Sequence, residues 1–169
     1  MMITPDYCRT MARYNRWQNK AVTEVVEAMP QAELTEDRRA FFGSILGTLN
    51  HLLWADLVWM ARLDGGDGPG VALVDSPGLT PDVREWARRR FLADGRIREW
   101  ALALDAIDLV GDLTWYSGAM QAEARRPVAL CVMHMFNHQT HHRGQVHAML
   151  TAAGQDPGPT DLFMMPETA

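Results

Sequence analysis

The chain has 169 residues, 47% of them apolar, and a formal net charge of −5. That length is enough to bury an ordinary hydrophobic core and reads as one domain spanning 1–169. The negative balance argues against nucleic acid or an anionic membrane surface as partner, because both recruit basic protein, and no apolar run is long enough to span a bilayer.

Four long segments read as helices. The first opens at Thr4-Pro5-Asp6, a cap followed by proline and an early acid, and carries Tyr7, Met11, Tyr14, Ala21, Val22 and Val25 at helical spacing until Met29-Pro30. The second runs from about Arg39 to Leu63 and stops at the breaker cluster Asp64-Gly65-Gly66-Asp67-Gly68-Pro69. The third opens at Thr80-Pro81-Asp82 and continues through Trp86, Phe91, Ile97 and Leu104 to about Leu109. The fourth opens near Pro127 and ends at Ala152-Ala153-Gly154, with glycine in the capping position. Residues 64–79 and 110–126 are long connections, the second either a short hairpin or an irregular crossover. The tail Gln155-Asp156-Pro157-Gly158-Pro159 is too rich in proline and glycine for helix. The fold class that follows is all-α: a four-helix bundle with long crossover connections. Cys8 and Cys131 read as small buried apolar residues rather than a disulfide framework. With no basic-then-apolar leader at the N-terminus, a cytoplasmic location is expected.

The fourth helix carries the chemistry, in His138-Gln139-Thr140-His141-His142-Arg143-Gly144-Gln145. Imidazole is the commonest metal ligand, and a helix brings side chains at i and i+4 onto one face. With His134 taken as zero, a step of about 100° per residue puts Val128, Cys131, Met135, Val146 and Met149 around about 100°, His142 at about 80° and His138 at about 40°. Both of these histidines point toward the apolar face. His134 and His141 fall near its edge, as surface or supporting residues, with His134 the reserve ligand. His147 points away near Arg143. Two core-facing histidines one turn apart each bury nitrogens that need partners, and one metal ion satisfies both.

A third ligand is less plainly marked. His51 is the one histidine outside the fourth helix. The main apolar face of the second helix carries Phe42, Ile45, Leu46, Leu49, Leu53 and Met60. His51 lies opposite, beside Ser44, Gly47, Ala55 and Val58, so spacing permits it to reach a site or to stand exposed. Asp56 lies within the main apolar face and reads as the partner of an arginine or a tryptophan N–H. Asn50, Asn137, Gln139 and Gln145 are near enough in sequence to orient ligating imidazoles, although each alone reads as a solvated polar residue. Arg143 reads as off the core face, available to an anionic substrate or a subunit boundary. Ala129, Met133 and Phe136 form a second apolar strip for another helix or a second chain. Glutamine at 139 removes the general base of a His-Glu-x-x-His protease, and the Glu-x-x-His pairs of di-iron bundles are absent.

The blocks Tyr14-Asn15-Arg16-Trp17-Gln18-Asn19, Asn50-His51-Leu52 and Asn137 to Gln145, with the close Gly154-Gln155-Asp156-Pro157-Gly158-Pro159-Thr160-Asp161-Leu162, resemble the DinB family of metal-binding four-helix bundles over nearly the whole chain. The resemblance implies that His51, His138 and His142 bind one divalent metal ion, zinc or nickel foremost, with iron, manganese and copper also accepted by imidazole. It implies a homodimer. It also points to an enzyme that uses a low-molecular-weight thiol and a small electrophilic substrate, as in the family's thiol-dependent transferases and isomerases. It singles out no catalytic residue beyond the ligands. The alternatives are a metal-binding stress-response module without turnover and a structural helical dimer.

Overall fold

The computed structural model describes residues 2–118 and 120–169. Its elements are α1 (Pro5–Glu27), a short α2 (Gln31–Thr35), α3 (Ile45–Asp64), α4 (Val83–Ala103), the strands β1 (Asp112–Ser117) and β2 (Ala122–Pro127), and α5 (Val128–Ala152), with 3₁₀ turns at Leu73–Gly78, Ala106–Leu109 and Leu162–Met164. The four long helices are the four expected, and the fold is an all-α bundle carrying one small hairpin.

Local chemistry sets the helix ends. Tyr7 N donates to Thr4 Oγ1 at 3.2 Å, and Pro5 follows the cap, so α1 opens where expected. The expected start of the second helix near Arg39 is corrected to Ile45. Arg39 sits at φ 56°, Ala40 bridges to Gly43, and Ser44 is the cap, accepting from Gly47 N at 3.0 Å. Gly65 ends α3 at φ 74°, a conformation that costs a residue with a side chain about 1–2 kcal/mol. The third helix starts at Val83, capped by Asp82, whose Oδ1 accepts from Glu85 N at 2.9 Å. It stops at Ala103 rather than near Leu109, and a separate turn follows. β1 and β2 pair antiparallel, with Trp115 facing Ala124.

α1 packs chiefly on α4, and α3 on α5 and α4, so the chain crosses the bundle between α1 and α3. Two apolar clusters form the core. One gathers Val26, Leu34, Ile45, Leu53, Trp86 and Leu150. The other gathers Cys8, Met60, Ile97, Val132, Met135 and Phe136. Cys8 and Cys131 are both free and buried, as expected. On every long helix a polar residue or pair separates the two clusters: Asn15 and Asn19, Asp56, Arg90 and Asp94, Gln139 and Arg143, all buried.

This polar layer is linked through its two carboxylates, while Arg90 Nε, Gln139 Oε1 and Arg143 Nη2 are buried without a hydrogen-bond partner. Arg90 donates to Asp56 Oδ2 at 2.6 Å and lies 2.8 Å from Asp94 Oδ1. Asn19 and Asn15 donate to Asp94 at 2.8 and 3.2 Å, and Gln139 donates to Asp56 Oδ1 at 2.9 Å. Burial works against the Arg90 charge, yet Asp94 and Asp56 outweigh it and raise its pKa. Burial pushes the Asp94 carboxyl up while Arg90 and Asn19 pull it down. With a guanidinium and two amide N–H groups on it, the ionised form is the one this geometry suits. Asp56 is thus paired with an arginine, as its place on the apolar face suggested.

One reading of α5 is corrected here, and one choice left open is narrowed. Arg143 is not off the core: it is 6% exposed, donates to Asn15 Oδ1 and lies over the Tyr14 ring at 5.4 Å. The Ala129–Phe136 strip packs within the chain, Phe136 meeting Tyr7 edge-on at 6.0 Å. The physical reason is one and the same. α5 is covered by α3 on one side and α1 on another, so its buried arc is much wider than a single apolar stripe.

Candidate metal centre

His138 and His142 lie one turn apart on α5, on the edge of the buried arc that faces α3. The Nε2 atoms of His142 and His138 are 3.0 Å apart, and His51 Nε2 reaches His138 Nε2 at 3.4 Å. Among the described residues these three form a group whose potential ligand atoms all lie within 4.8 Å of one another. Ligands at about 2.0–2.1 Å from a tetrahedral zinc-sized ion stand roughly 3.3 Å apart, the scale of the two close contacts. The three imidazoles can therefore hold one ion.

His51 reaches this point because the far side of α3 is covered. It is only 4% exposed. The 3₁₀ turn Leu73–Gly78 lies against α3 and brings Ser76 Oγ to 2.9 Å from His51 Nδ1. Phe42 stacks on the His51 ring, with centroids 3.7 Å apart and planes within 17°. That approach needs Gly47, where a Cβ would stand 2.3 Å from the Phe42 carbonyl oxygen. Phe42 was expected on the apolar face of a helix; it sits before that helix and packs on the His51 ring.

The outer nitrogens decide which inner ones are free. Gln145 Oε1 lies 2.7 Å from His142 Nδ1 and can only accept, so that nitrogen carries the proton and Nε2 keeps its lone pair. With Nδ1–H donated to Ser76 Oγ, His51 has the same arrangement. His138 Nδ1 is buried without a partner. Burial, with His142 close by, lowers the His51 pKa to about 4. Burial followed by the crowding of His142, His51, His134 and His141 lowers His138 to about 3. Burial lowers His142 as well, against the pull of Gln145. All three are thus neutral at physiological pH, the form that binds a metal ion.

Of the four amides named from sequence, Gln145 holds the His142 ring, Asn137 is exposed, and Asn50 and Gln139 are buried rather than solvated. Asn50 donates to the Pro77 and Thr80 carbonyls at 2.8 and 3.1 Å, tying down the turn that delivers Ser76. His141 is exposed. His134 is exposed too, its ring 5.7 Å from that of His138, outside the group of three.

From His51 and His138 a cleft of about 910 Å³ runs along α3, with Trp54, Val58, Trp59, Arg62, Trp115 and His134 among its walls. Its lining holds more apolar than polar surface and, among the described residues, no aspartate or glutamate. A concave apolar space with a few convergent polar groups is the usual form of a small-molecule site.

Among the described residues no helix is long and apolar enough to cross a membrane. A relative, Protein DinB of Bacillus subtilis (strain 168), is 25% identical over 169 residues, an alignment that takes in 94% of this chain and 95% of that protein. The DinB family model matches residues 2–169, and the chain belongs to the DinB family.

Proposed function

We propose that this DinB-family chain is a metal-dependent enzyme that transfers a low-molecular-weight thiol onto a small electrophile, with His51, His138 and His142 holding one divalent ion, zinc or nickel foremost. The observation that carries it is the convergence of three neutral imidazole nitrogens beside an apolar cleft that His51 and His138 line. A fold that brings in three protein ligands leaves a tetrahedral ion room for an outside molecule, the mark of a catalytic rather than a structural site.

Such an ion supplies one thing here: it favours the ionised form of a thiol or water that reaches it. The protein does the rest. Ser76 and Gln145 fix two ring orientations and tautomers. Phe42 covers one face of His51 and keeps water from it. The cleft offers no carboxylate to take a proton, so the better fit is a nucleophile that ionises with little help. A thiol, with a pKa near about 8.5, meets that description far better than water at about 15.7. In the transfer the thiol proton leaves to solvent, a sulfur–carbon bond forms, and the leaving group departs with the electron pair of the bond that breaks.

The protein is further proposed to act as a cytoplasmic homodimer, which light scattering at working concentration tests by mass. The decisive experiment on the site is elemental analysis of protein purified without a metal-binding tag. One equivalent of a divalent ion is expected, falling to a small fraction in His138→Ala and His142→Ala. Full metal content in both variants overturns the ligand assignment. Metal-dependent consumption of a thiol with 1-chloro-2,4-dinitrobenzene tests turnover; no rate above the metal-free protein with any of several thiols favours a module without turnover.

A further inference from the structure

Arg62 is the arginine of the cleft that His51 and His138 line. It rises from α3 three turns beyond His51 and lines the same cleft. Its guanidinium carbon lies 4.6 Å from the centre of the Trp59 ring and 5.1 Å from that of Trp115. No hydrogen bond or ion pair joins its side chain to another described residue, and burial lowers its pKa. The other arginines around α3 differ: Arg90 meets Asp56 at 2.6 Å and Arg96 meets Asp64 at 2.6 Å. The two indoles satisfy the face of the Arg62 guanidinium but not its N–H edge. That edge is a planar fork of donors whose best partner is a carboxylate, bound through two parallel bonds.

The position of the fork matters as much as its chemistry. His51, Ala55, Val58 and Arg62 follow one another at helical spacing along α3 and all line the cleft. Eleven residues at about 1.5 Å each set His51 and Arg62 roughly 16 Å apart along the helix. Between them the wall is continuous. Trp59 touches His134 with centroids 5.1 Å apart, and the His134 ring is 5.7 Å from that of His138.

We infer that Arg62 is the anion anchor of the cleft, and that the substrate is an amphipathic carboxylate. Its acid end is held by Arg62 between Trp59 and Trp115. Its apolar body lies along Trp54 and Val58, and its reacting group is at the three histidines. This rests on the metal-centre reading for what happens at the far end of the cleft, but the anchoring itself does not.

Calorimetric titration with 2-naphthoate and its uncharged counterpart 2-naphthylmethanol tests the anchor in zinc-loaded and metal-stripped protein. The carboxylate is expected to bind at least about tenfold more tightly than the alcohol in both forms. Arg62→Met is expected to abolish that preference without changing zinc content, and Arg62→Lys to retain only part of it. Three results overturn the inference: no carboxylate binding to the wild-type protein, a preference that survives in Arg62→Met, or a preference that vanishes when zinc is removed. The last would place the carboxylate on the ion. Failure of the metal-centre reading shows separately, as absence of zinc from the loaded sample.

Discussion

Asp56 and Arg90 meet in the middle of the bundle at 2.6 Å, and His142 and His138 meet beside the cleft at 3.0 Å. Both regions bury polar side chains, yet their balance differs. In the middle layer each carboxylate finds a guanidinium and at least one amide N–H. At the cleft, three nitrogens of the same kind are pressed together, and acceptors outnumber donors. A set of like groups with surplus lone pairs is suited to completion from outside, by a cation. The contrast separates a device that holds the fold from one that holds a ligand.

The sharpest way to break the contrast is to remove the hub of the middle layer. Arg90→Met leaves two buried carboxylates facing one another, and the expected loss is about 3–5 kcal/mol of unfolding free energy, read by urea denaturation. Loss under 1 kcal/mol would mean that Arg90 does not hold the two carboxylates together. Gln145→Leu should leave folding nearly untouched and weaken metal affinity about 10–100-fold, measured by competition with a chelator, because an unsupported His142 loses its fixed tautomer. Unchanged affinity would demote Gln145 to a bystander.

Acidity sharpens the comparison further. The unfolded chain takes up protons on its histidines near pH 6.5, whereas folded His51 and His138 resist protonation until about 4 and about 3. The unfolded state then binds more protons, so the stability of the metal-free protein should fall as pH drops from about 6.5 toward 4. His138→Leu should flatten part of that slope. At neutral pH the same variant, freed of a buried nitrogen without a partner, should be as stable as the metal-free parent or more stable by up to about 1 kcal/mol. A marked loss of stability would show that the triad also holds the fold.

The i, i+4 pair on α5 was legible because both residues share one helix, where periodicity fixes direction. His51 was not, because its burial depends on the turn Leu73–Gly78 folding back along α3, a contact between segments that spacing within one helix does not register. Ser76, in a 3₁₀ turn, gave no signal, and Phe42 signalled only a helix face that it in fact precedes. Arg143 was misplaced for a related reason. A wheel finds the centre of an apolar stripe, but α5 is enclosed on more than one side, and its polar residues Gln139 and Arg143 face inward to partners on α3 and α1. The four long helices were readable from caps and breakers. The start of α3 was not, since Phe41 and Phe42 prolong the apolar pattern past the true cap at Ser44.

Gly47 carries no functional group and touches no ligand, yet a single methyl there collides with the backbone at Phe42. Relief of that collision moves the aromatic ring away from His51 and wets one side of the centre. A replacement as mild as Gly47→Ala thus acts as a remote lever, loosening the grip on the ion through a position that an inventory of reactive side chains would pass over.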